Sequence, residues 1–184
     1  MALTDRSDAE LLVQFREPAT REAAFTSIIK KYQEKLYWHI RRMVIGHDDA
    51  NDVLQNVFIR VWNGLGNFRE DAQLYTWLYR IATNESLTYI ESQKKRASVS
   101  LSDVESGLSN KIHADKHFDA KKLEWKLQLA IQQLPEKQRI VFNLRYYDEM
   151  PYEEMSRVLE TSEGALKASY HHAVKKIEDY IKNH

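Results

Sequence analysis

The sequence predicts an all-α protein, two small helical domains joined by a flexible linker, and three observations carry that prediction. Apolar residues recur at spacings of three and four through two separate blocks, the mark of helices with one buried face. Only 5 Gly and 3 Pro occur in 184 residues, too little punctuation for the short strands and hairpins of a β fold. Between the blocks, residues 97–120 read "ASVSLSDVESGLSNKIHADKHFDA". This stretch is rich in Ser and Asp and has no sustained period, which is the composition of a linker.

The first block, residues 1–96, opens with a short helix around Leu11, Leu12 and Phe15. A long helix follows, its apolar face formed by Phe25, Ile28, Ile29, Tyr32, Leu36, Ile40, Met43 and Val44. "DDANDVLQNVFIRVW" repeats the pattern through Val53, Leu54, Val57, Phe58, Val61 and Trp62, until "LGNF" interrupts it. In "LYTWLYRIATNESLTYIESQKK" the spacing turns Leu74, Trp77, Leu78 and Ile81 inward. The result is a compact four-helix unit.

The second block, residues 121–184, begins with "LEWKLQLAIQQL", where Leu123, Leu127, Ala130, Ile131 and Leu134 share a face. Pro135 ends that helix and opens "EKQRIVFNLRYY", because proline suits a first helical turn and breaks an interior one. "MPYEEMSRVLE", a short turn at Thr161 and Ser162, and a final long helix complete a helix-turn-helix. Either hydroxyl is a suitable N-cap, and Glu163 suits the positive end of the helix dipole. In the last helix Leu166, Tyr170, Ala173, Val174, Ile177 and Ile181 form the buried stripe. Lys167, Ala168, His171, His172 and Lys175 face out, with Ser169 and Lys176 on the flanks.

Composition narrows the function. There is no cysteine, so disulfides, thiol catalysis and cysteine-bound zinc are excluded and a reducing cytoplasm is the expected home. The start, "MALTDRSDAELLVQF", has acidic residues where a signal peptide has its apolar segment. No apolar run approaches the ~20 residues of a membrane helix, so no membrane insertion is expected. The formal net charge is zero, and nucleic-acid binding would have to come from local patches.

Three stretches, in order around the linker, carry a family resemblance. "DANDVLQNVFIRVW", "FREDAQLYTWLYRIATNESLTYIESQKKR" and "LPEKQRIVFNLRYYDEMPYEEMSRVLETSEGALKASYHHAVKKI" resemble the small RNA polymerase sigma factors of the extracytoplasmic-function (ECF) group in the sigma-70 family. The resemblance implies that the first stretch docks on the polymerase clamp and the second opens and reads the minus-ten promoter element. The third resembles region four, which binds the minus-thirty-five element and the polymerase flap. It implies a promoter-specificity subunit without catalysis or cofactor, whose partners are core RNA polymerase and promoter DNA, with an anti-sigma factor as a further candidate.

Carried onto this sequence, the resemblance places the base-trapping loop at about residues 67–73, with Asn67, Phe68 and Arg69. Tyr75 and Tyr79 are four apart and off the Leu74 and Ile81 stripe, available to DNA. Asn84 and Thr88 are also four apart, a spacing that suits either a base edge or a solvated polar face. By resemblance they fall on the face that meets the minus-ten strand. Lys94, Lys95 and Arg96 suit phosphates and equally the negative end of a helix. Asp52, Gln55, Asn56 and Arg60 form the polar side of the clamp-docking helix, with Asn56 where the family usually has an acid.

In the last helix the resemblance assigns Ser162, Glu163, Lys167, Ala168, His171, His172 and Lys175 to the minus-thirty-five element. Ser169, His172 and Val174 stand where relatives often carry arginine. Phosphate grip should therefore be weaker, and dependent on pH where histidine titrates. His171 and His172 diverge by about 100° on a helix and cannot share a metal. His113 and His117 have a zinc-pair spacing but no Glu after the first and no third ligand, so no metal site is expected. The alternative function is a stand-alone helix-turn-helix regulator that binds duplex DNA without polymerase.

Overall fold

The computed structural model describes residues 6–96 and 122–183, and the chain divides into two compact units, residues 1–90 and 91–184. The described secondary structure is helical throughout. It comprises α1 (Asp8–Arg16), α2 (Arg21–Val44), α3 (His47–Gly64), a 3-10 turn at Leu65–Asn67, α4 (Leu74–Arg96), α5 (Lys122–Gln132), α6 (Glu136–Tyr146), α7 (Tyr152–Leu159) and α8 (Glu163–Asn183). The connector expected at residues 97–120, with His113 and His117, lies outside the described residues, as does the side chain of Leu123.

Rows with a four-residue period build the first unit. Ala24, Ile28, Tyr32, Leu36 and Ile40 are buried on α2, Val53, Val57 and Val61 on α3, and Leu74, Leu78 and Ala82 on α4. Such rows are the ridges that one helix presents to the grooves of another. α1 adds Leu11, Leu12 and Phe15. It starts in a capping box, where Ser7 Oγ accepts from the Glu10 N–H at 3.3 Å and Glu10 Oε2 accepts from the Ser7 N–H at 2.8 Å. The bond from the Ser7 backbone is the first cause holding the Glu10 carboxyl below its ordinary range.

Asp8 ties α1 to α2, accepting from Lys31 Nζ at 2.6 Å and from Tyr32 Oη at 2.6 Å. Burial, and then this carboxylate, push the Tyr32 phenol far above the ordinary tyrosine range. Leaving a buried donor without its acceptor costs roughly 1–3 kcal/mol. Asp8→Ala is therefore expected to loosen α1 from α2, raising amide exchange in α1 and leaving α3 unchanged.

α2 reverses into α3 without a glycine at the strained position. Ile45 has φ 69° and ψ −42°, and the Gly46 N–H bonds the Val44 carbonyl at 2.9 Å, closing a γ-turn. Gly46 comes next, where an added Cβ would make the Asp49 side chain move aside.

α4 is rotated from its expected phase. Leu74 and Leu78 are buried as expected, whereas Trp77 and Ile81 are only half-buried, and Thr76, Tyr79, Ala82, Thr83 and Ser86 fill the interior face. Two of the polar members bond back to their own helix. Thr83 Oγ1 donates to the Tyr79 carbonyl at 2.7 Å and Ser86 Oγ to the Ala82 carbonyl at 2.8 Å. Thr83 has then used its only proton, so the buried His39 of α2 is the donor in the 2.9 Å bond between His39 Nε2 and Thr83 Oγ1.

The second unit is organised around Ala130, Ile131 and Leu134 of α5, Phe142 of α6, and Ala173 and Ile177 of α8. Pro135 and Pro151 stand at the N-caps of α6 and α7. α7 ends at Glu160, whose φ of 51° and ψ of 42° are left-handed. Ser162 then caps α8, its Oγ accepting from the Ala165 N–H at 3.3 Å, while Thr161 Oγ1 donates back to the Leu159 carbonyl at 3.0 Å. The helix-turn-helix is thus α7, a turn at residues 160–162, and α8.

Candidate nucleic-acid interfaces

The loop between α3 and α4 is pinned from inside. Leu65 and Phe68 are buried, and the Phe68 ring packs on Trp77 at 5.0 Å between centroids. Glu70 has φ 59°, and its carboxylate meets Arg16 of α1 at 2.7 Å. Asn67 and Arg69 are exposed. Phe68, read as a minus-ten residue, is a core residue of this loop, and it shapes the surface on which Asn67 and Arg69 stand.

Tyr79 needs the same correction. It is 2% exposed, its ring 5.0 Å from that of His39, because the rotation of α4 carries position 79 inward. Tyr75 is half-buried, edge-on to Tyr79 at 5.3 Å. The outer face of α4 instead carries Arg80, Asn84 and Thr88, all exposed. With four-residue steps of 1.5 Å per residue, they form a row about 12 Å long. Arg80 is absent from the sequence reading, although its spacing from Asn84 was the available signal. Lys94, Lys95 and Arg96 are exposed in the last turn of α4.

On α3, Asp52, Gln55 and Asn56 are exposed. Arg60 is exposed and forms an ion pair with Glu85 of α4. Ile59, missing from the expected set, lies beside them and is 53% exposed. An apolar side chain among polar ones is the usual centre of a protein interface. The sequence signal was its position off the buried row of Val53, Val57 and Val61. Trp62, expected inside, is 37% exposed, its inner edge held T-shaped against Phe15 at 5.4 Å and Phe25 at 5.0 Å.

α8 behaves as its periodicity predicts. Leu166, Ala173 and Ile177 are buried and Tyr170 and Val174 half-buried. Ser162, Glu163, Lys167, Ala168, His171, His172 and Lys175 are all exposed. The ring centroids of the two imidazoles are 6.0 Å apart and their planes inclined by 59°. Lys167 Nζ lies 3.6 Å from Glu163 and 5.6 Å from the ring centroid of Tyr152. Burial first, then the neighbouring Tyr152, raises the Tyr170 phenol above its ordinary range, with Arg145 pulling the other way. The outward face of α8 from Glu163 to Lys175 therefore presents a polar surface that is anionic at Glu163 and cationic at Lys167 and Lys175. Such a surface suits base edges, where a carboxylate accepts from cytosine and a lysine donates to guanine.

Comparison with known proteins agrees with both units. Residues 28–96 match the family model described as Sigma-70 region 2, and residues 124–177 that described as Sigma-70, region 4. The RNA polymerase sigma-H factor of Pseudomonas aeruginosa is 31% identical over 96% of this chain and 94% of its own length. The ECF RNA polymerase sigma-E factor of Escherichia coli K12 is 29% identical over 87% of each. Among solved structures, CnrH in complex with the cytosolic domain of CnrY superposes with a TM-score of 0.69 at 21% identity, covering 96% of this chain and 97% of that one. The sigma factor RpoE from Bartonella quintana, in complex with the anti-sigma factor NepR, gives 0.67 at 17%, covering 86% and 96%. A stand-alone regulator would need no region 2, and that alternative is set aside. Among the described residues no helix is long and apolar enough to cross a membrane. The chain belongs to the sigma-70 family of RNA polymerase sigma factors, in its ECF group.

Proposed function

We propose that residues 1–96 dock on the polymerase clamp and read the minus-ten element, and that residues 121–184 read the minus-thirty-five element and meet the flap. In the first domain Asp52, Gln55, Asn56 and Arg60, with Ile59 among them, contact the clamp. Arg80, Asn84 and Thr88 face the separated strand, and Asn67, Arg69 and the open edge of Tyr75 border the unstacked base. Lys94, Lys95 and Arg96 neutralise phosphates. In the second domain Ser162, Glu163, Lys167, Ala168, His171, His172 and Lys175 enter or rim the major groove. Bond-making belongs to the polymerase, so this chain is not itself an enzyme, and it works in the cytoplasm. An anti-sigma partner is part of the proposal, since the Bartonella quintana relative was solved with one.

The observation that carries this reading is the outward row of Lys167, His171 and Lys175 on the second helix of the helix-turn-helix, opposite the buried Leu166, Ala173 and Ile177. The test is whether the purified chain makes core RNA polymerase initiate at a defined promoter. Failure to associate with core polymerase would overturn it. If Lys167 touches the backbone, Lys167→Ala should weaken minus-thirty-five binding and lower the salt slope by about one contact. An unchanged affinity and slope would remove Lys167 from the DNA face.

A further inference from the structure

We infer that Tyr152 is a positioning residue for Lys167, holding its ammonium for DNA contact through a clasp of two cations on one ring. The inference rests on the reading of α8 as the minus-thirty-five helix. Tyr152 is the first residue of α7. The Arg145 guanidinium lies 5.1 Å from its ring centroid and Lys167 Nζ 5.6 Å, so the ring receives one cation from α6 and one from α8. Arg145 is itself fixed, its Nη1 donating to the Met150 carbonyl at 3.2 Å. Met150 in turn bonds the Leu144 carbonyl through its N–H at 3.0 Å. The turn between α6 and α7 thus sets the place of the ring, and the ring sets the place of Lys167.

The chemistry explains why an aromatic ring stands there. A free lysine has many rotamers to lose when it meets a base or phosphate, and restraint beforehand reduces that loss. Glu163, 3.6 Å away, supplies one restraint, but its pair with Lys167 is exposed to solvent and its negative charge repels phosphates. The face of the tyrosine ring attracts the ammonium through its quadrupole and brings no net charge to the DNA. A second carboxylate at position 152 would restrain Lys167 equally and would weaken DNA binding.

The test uses holoenzyme assembled from core polymerase and the full chain, with Y152F, Y152L or a ring-fluorinated phenylalanine at position 152, each with and without K167A. Affinity is measured for promoter DNA with the minus-thirty-five element intact or scrambled. Y152F should match the unsubstituted protein. Y152L and the fluorinated ring should lower element-dependent affinity by about two- to fivefold, and neither should have an effect once K167A is present. Fluorination keeps the packing and drains the ring face, so that arm stands even where Y152L fails to fold. The same loss without Lys167, or none on fluorination, would make Tyr152 a packing residue only. A gain in affinity would mean that the ring holds Lys167 back from DNA, and would also overturn the inference. Should the unsubstituted holoenzyme bind intact and scrambled elements alike, the reading of α8 itself fails and the clasp goes with it.

Discussion

Asn84→Ala is expected to reduce initiation from promoters with an intact minus-ten element by about ten- to a hundredfold, while affinity for core polymerase stays unchanged. The magnitude follows from roughly 1–3 kcal/mol for a side-chain amide paired to a base edge. The structure makes the experiment clean. Asn84 is exposed in the middle of α4, between Arg80 and Thr88, and alanine is the better helix former by roughly half a kcal/mol. The variant should be at least as stable as the parent, so a loss of initiation cannot be ascribed to unfolding. Open complexes resistant to a polyanion competitor, counted alongside core affinity, separate the possibilities. Parallel loss of both would show that Asn84 supports the fold or the clamp contact, and equal initiation would remove it from the DNA. Thr83→Ala, one position away and buried, is the complementary control. It breaks the bond to His39 at 2.9 Å and should lower stability before it changes promoter choice.

That neighbouring pair marks where the sequence could be read and where it could not. α8 was legible because its buried stripe is wholly apolar or aromatic and its outward positions are charged or small, so period alone fixed its phase. The phase of α4 is not legible in this way because Thr76, Thr83 and Ser86 look like surface residues and are buried. Their hydroxyl groups remain satisfied inside, Thr83 and Ser86 by bonding carbonyls of their own helix, and no pattern of hydrophobicity records such a bond. Apolar spacing alone therefore puts Tyr79 outside and gives no sign of Arg80. Chain reversals were similarly concealed. Ile45, Glu70, Glu149 and Glu160 all have positive φ, a conformation usually signalled by glycine, whereas Pro135 and Pro151 announced the starts of α6 and α7 directly.

Leu166→Ala should cost about 2–5 kcal/mol, because Leu166 is 1% exposed and alanine leaves a cavity that its surroundings fill only in part. For a domain of this size, whose total stability is on the order of 5 kcal/mol, that loss is enough to unfold much of the second unit. The first unit has its own interior rows on α2, α3 and α4, and Leu166 belongs to the second unit. The expected result is therefore selective. In the full chain, amide protection should fall in α5 to α8 and persist in α2 and α3. Holoenzyme carrying L166A should keep its clamp contact and its affinity for a forked minus-ten fragment, lose the flap contact's share of core affinity, and lose discrimination between intact and scrambled minus-thirty-five elements. Hydrogen exchange and the two binding assays read these outcomes independently. Simultaneous loss of protection in both units would mean that they fold as one cooperative body. Retained minus-thirty-five discrimination with α8 unprotected would show that a preformed helix is not what reads that element.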